Sequence, residues 1–91
     1  MNKATFICYD NGGATYDRFT VIPRSREFDS MTIRRPASRP LRMSLGMSLD
    51  PTGPRGFSQW SHAQAGPHLG RKVDFGKLPR DVQKHVIAMC D

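Results

Sequence analysis

Cysteine is nearly absent: Cys8 and Cys90 are the only two in 91 residues, and they stand near opposite ends. One pair makes no multi-bridge framework of the kind that staples small secreted domains, and it supplies no close pair of metal-ligating thiols. Long apolar runs are missing too, and none approaches the roughly 18–20 residues a membrane-spanning helix needs. Met1-Asn2-Lys3-Ala4 runs straight into strand-like residues, so no secretory leader is expected. These absences lead us to expect a cytoplasmic protein with reduced thiols and no membrane partner.

Acidic residues are scarce: eight Asp and Glu face fourteen Lys and Arg, a formal charge of +6. Arginine far outnumbers lysine. Guanidinium pairs bidentately with phosphate or carboxylate and stacks on flat groups, so the balance points to an anionic partner. Hydrophobic residues make up only 37% of the chain and gather at 4–9, 19–22, 41–49 and 73–90. That is enough for one modest core in a single domain spanning 1–91.

Signatures of chemistry are lacking as well. His62 and His68 lie six apart in a Gly-rich stretch with no second close pair, which does not meet the four-ligand spacing of a zinc site. Ser61 and His62 are sequence neighbours and rarely face each other, and no nucleophile elbow or phosphate-cradling glycine loop occurs. No catalytic residue, metal or other cofactor is assigned, and a metal-dependent enzyme around His62 and His68 is the weakest reading.

What is present reads as strands first. Residues 4–9 are β-branched and aromatic, the Asn11-Gly12-Gly13 turn follows, and residues 18–22 form a second strand that Pro23 should end. Asp10 and Asp17 can accept backbone N–H groups across this hairpin, with Arg18 placed to pair with either. Residues 23–40 read as an exposed Arg/Pro-rich loop, with a short edge strand near 30–34. Leu41, Met43, Leu45, Met47 and Leu49 alternate with Arg42, Ser44, Gly46 and Ser48, the period of a strand with one buried and one solvated face. Residues 50–71 form a Gly/Pro-rich loop, ordered by Phe57 and Trp60. A short strand at 72–75 precedes a helix opened by Leu78-Pro79, whose stripe of Leu78, Val82, Val86 and Met89 faces the core. The expected fold is α+β: a small antiparallel sheet of three to five short strands with one C-terminal α-helix packed on it.

Tyr9-Asp10-Asn11-Gly12-Gly13, followed by Asp17-Arg18-Phe19-Thr20-Val21, resembles the opening of a group of small bacteriophage and prophage proteins with no assigned activity. Met47-Ser48, residues 54–59 and Leu78-Pro79 resemble later pieces of that group, while the Arg-rich loop does not. The resemblance implies a phage or prophage origin and hence the host cytoplasm. Short phage genes of this size often encode inhibitors of host machinery, anti-CRISPR proteins included.

The expected function is therefore non-enzymatic binding of a host protein or ribonucleoprotein complex. The surface would comprise Arg24, Arg26, Arg34, Arg35, Arg39 and Arg42, with Phe57 and Trp60 beside it and Trp60 as the main anchor. The alternative is a DNA- or RNA-binding accessory protein in which the arginines track phosphates and Phe57 and Trp60 stack on bases. A thin core leaves a homodimer open.

Overall fold

β1 (Thr5–Asp10) and β2 (Phe19–Arg24) form the expected hairpin, paired antiparallel from Thr5↔Arg24 to Asp10↔Phe19 in the computed structural model, which describes residues 5–90. Ala4, with which the expected first strand begins, lies outside the described residues. Asn11 builds the connecting loop: its side-chain oxygen accepts the N–H groups of Gly13 and Ala14, and its amide donates to Thr15 Oγ1 at 2.7 Å. Gly12 and Gly13 take φ of 73° and 93°, a region costly for residues with a Cβ.

Pro23 does not end β2. It lies within the strand, paired with Phe6 but beyond Val21, the last residue of the ladder with β3 (Arg42–Met47). With β1 on one side only, the missing N–H leaves no gap in the β3 ladder.

Three of the expectations for the middle of the chain need correction. Residues 23–40 are not all loop, because α1 (Arg26–Ser30) forms one turn there. Ser25 caps it by accepting the N–H of Phe28, with Glu27 and Asp29 in the first turn, where the helix dipole favours negative charge. The edge strand expected near 30–34 reduces to a single bridge, Ile33 with Leu41. Residues 50–71 contain a full strand, β4 (Ser58–Ala63), paired with β3 from Met47↔Ser58 to Arg42↔Ala63.

β5 (Arg71–Val73) adds to the far side of β1, so the all-antiparallel sheet runs β4-β3-β2-β1-β5. α2 (Arg80–Cys90) packs on one face of it, completing the expected α+β fold. Cys8, Phe19, Val21, Leu45 and Met47 point from the sheet into a cluster with Leu78, Val82 and Val86. Burying these side chains supplies the main favourable term of folding, about 25 cal/mol for each Å² of apolar surface removed from water. The helix stripe is shorter than the sequence suggests, since Met89 is 40% exposed.

The second face of the sheet is covered too, which alternation in β3 did not foretell. Tyr9, Ile22, Ser44 and Ser48 are buried, while Leu49 is 56% exposed. Residues 64–70 carry the chain from β4 at one edge to β5 at the other, and Gly66, Pro67 and Gly70 share a hollow with Tyr9. At Gly70 (φ 117°) a Cβ would lie 2.5 Å from Asp10 O and 2.6 Å from Asn11 Cα, so only glycine lets this crossing pass over the hairpin.

Candidate binding surface

The arginines of residues 24–42 do not act alike. β2 ends in Arg24 and β3 begins with Arg42, and α1 places Asp29 between them. Arg24 Nε donates to Asp29 Oδ1 at 2.7 Å and Nη2 to Oδ2 at 3.3 Å, while Arg42 Nη1 stands 3.6 Å from the same carboxylate. The hydrogen bonds from Arg24, helped by the charges of Arg42 and Arg34, hold the Asp29 carboxyl below its usual range. One carboxylate thus gathers two guanidinium groups, with the charge of Arg34 acting on it from further away, and leaves the cluster positive.

Arg35 and Arg39 shape the loop itself. Arg35 Nη2 donates to Arg39 O at 2.9 Å and to Gln64 Oε1 at 3.3 Å, and Arg39 Nη1 donates to Ala65 O at 3.2 Å. The loop is thereby tied to the strap that crosses the second face. Its base closes through two backbone bonds between Ile33 and Leu41, and near its tip Ala37 sits at φ 61°. Residues with a Cβ occupy that region only where their surroundings hold them there. Arg26 and Arg34 are exposed, and neither takes part in the ion pairs at Asp10 and Asp29.

The two aromatics are packed into the fold rather than presented as open rings. Trp60 is half-buried against the core cluster and stacks on Phe28 of α1, with centroids 5.7 Å apart and planes 20° from parallel. It props up α1, and through α1 the carboxylate of Asp29. Phe57 is also half-buried and meets Tyr16 edge-on at 6.4 Å. Tyr16, at 63% exposure, is the open aromatic of that pair, and nothing in the sequence set it apart from a turn residue.

A second basic group is formed by Arg18, Arg71, Lys72 and Lys77 around a shallow hollow that also includes Asp10 and Asp74. β5 takes Arg71 and Lys72 to the opposite edge of the sheet from Trp60. The histidines are engaged singly. His62 Nε2 lies 3.0 Å from Met31 O, His85 Nε2 lies 2.7 Å from Ser58 Oγ, and no group of three or more His, Cys, Asp or Glu is disposed to hold a metal among the described residues. Burial, reinforced by the charge of Asp74, pushes the Cys8 thiol up to about 12, far from the thiolate a nucleophile needs. No helix among the described residues is long and apolar enough to cross a membrane.

No family model, curated protein or solved structure matches this chain.

Proposed function

We propose that this is a non-catalytic binding protein that presents residues 24–42 to an acidic face of a host protein or ribonucleoprotein complex. The observation that carries the reading is the shared carboxylate of Asp29. Six arginines and two carboxylates lie in residues 24–42, which places four of the chain's six net positive charges on one segment. Pairing around Asp29 and the anchoring of Arg35 and Arg39 give that segment a set shape, so less ordering entropy is lost on binding. Arg26 and Arg34 supply the open guanidinium groups. The phage resemblance makes a host factor the natural partner, with inhibition of a host defence as the function such a partner implies.

Base stacking finds less support, because Trp60 is stacked under Phe28 and Phe57 is half-buried. The two readings separate in a pull-down from bacterial lysate with and without nuclease. Retention of one discrete protein after nuclease treatment is the expected result. Loss of all material but mixed nucleic acid would instead make the arginine surface a phosphate-binding one, with steep salt dependence.

A further inference from the structure

The two edges of the sheet differ in a way that bears on self-association. β5 is three residues long and carries Arg71 and Lys72, the short and charged form by which native sheets discourage edge pairing. β4 is six residues long and contains no proline, glycine or formal charge, and among the described residues it is the only strand without a charged residue. The uncharged stretch extends over residues 56–70.

Backbone alternation tells which groups β4 offers. Ser48 N–H donates to Phe57 O at 3.0 Å, making 48 and 57 a hydrogen-bonded pair. Stepping by two along the register turns the N–H and C=O of Gln59, Ser61 and Ala63 toward β3. Those of Ser58, Trp60 and His62 therefore point away from the sheet, where no other strand follows among the described residues.

We infer that β4 pairs antiparallel with β4 of a second copy of this chain, about a twofold axis at Trp60, joining two sheets into one. Three outward pairs centred on residue 60 are self-complementary. Ser58 would face the partner's His62, Trp60 the partner's Trp60, and His62 the partner's Ser58, each pair exchanging two backbone bonds. Charge selects this edge for a like-charged partner. Two copies at +6 repel each other, and β4 is where their contact opposes no pair of formal charges. The side-chain pairs across the axis, Gln59 with Ser61 and Ser58 with His62, are polar and uncharged.

Sedimentation equilibrium combined with concentration-dependent amide exchange tests the inference. The expected result is a dimer in which Ser58, Trp60 and His62 amides gain protection on association, while those of Gln59 and Ser61 are protected in monomer and dimer alike. His62→Pro removes an outward N–H and should abolish association without touching the β3 ladder. Should that variant misfold, Gln59→Lys changes an exposed side chain and should weaken association about tenfold with unchanged circular dichroism. A chain that stays monomeric overturns the proposal, as does a dimer indifferent to the folded variants. Concentration-dependent protection on another element overturns it too, and so does a β4 edge that captures only a foreign strand.

Discussion

Arg18 grips Asp10 at two points, Nε to Oδ1 at 2.8 Å and Nη2 to Oδ2 at 3.2 Å, while the same Oδ1 accepts the N–H of Gly12. The pair closes the β1–β2 hairpin across its mouth, where Asn11 N–H also donates to Arg18 O at 3.0 Å. Arg18 Cζ lies 5.2 Å from the Phe19 ring centroid, so the guanidinium is steadied on a buried aromatic.

Acid should dissolve this closure. Hydrogen bonding from Arg18 lowers the Asp10 carboxyl below its ordinary 3.8. A lowered value means that the pair stabilises the fold above 3.8 and that the contribution fades as pH falls through the depressed value. Asp10→Asn should lower the urea midpoint at pH 7, and the two proteins should converge near pH 2. A gap that persists in acid would show that charge is not the cause.

Cys8 gives the opposite sign. Its thiol is raised from 9.0 to about 12, so the neutral form is favoured in the folded state. The stabilisation is complete below 9.0 and is lost as pH rises toward 12. Urea melts should show stability falling above about pH 9, and a Cys8→Ala variant should lose that alkaline slope. Iodoacetamide at pH 8 should modify Cys8 only after unfolding.

Gly70→Ala should be among the most damaging single changes. The added Cβ meets backbone at 2.5 Å, and φ of 117° already disfavours any side chain. A loss of about 3 kcal/mol is expected, read as a fall in thermal midpoint. A fall of a degree or two would mean that the strap does not press on the hairpin as described.

Trp60→Ala should act on the fold. A fully buried aromatic costs about 3–5 kcal/mol to truncate, and half-burial brings the expectation to about 2 kcal/mol. Removal should also loosen Phe28 and α1, weakening the hold of Asp29 on Arg24. Trp60→Phe retains the stacking and should recover most of the loss. An unchanged melting midpoint for Trp60→Ala would contradict the packing role.

The sequence made some of this legible for physical reasons. β3 stood out because Leu41, Met43, Leu45 and Met47 alternate with small or polar residues over a long span. The hairpin was readable because Asn11-Gly12-Gly13 is local chemistry. β4 was not, because Ser, Gln, His and Ala have little strand preference, and its pairing with β3 is a tertiary effect. The signals for α1 were in place in Ser25, Glu27 and Asp29, but the density of arginine and proline around them masked a single turn. The exposed arginines could be recognised as a surface. Which were anchored could not, since Arg39 finds Ala65 and Arg35 finds Gln64 across 26 and 29 residues of chain.

The most direct test of the central claim compares the wild-type protein with Arg26→Glu/Arg34→Glu in nuclease-treated bacterial lysate. Both side chains are exposed, so the variant should keep the thermal midpoint of the parent. One discrete protein or ribonucleoprotein retained by the wild type and lost from the folded variant is the predicted result. Retention of no discrete partner by the wild type, or equal retention by the variant, would contradict a partner-binding role for residues 24–42.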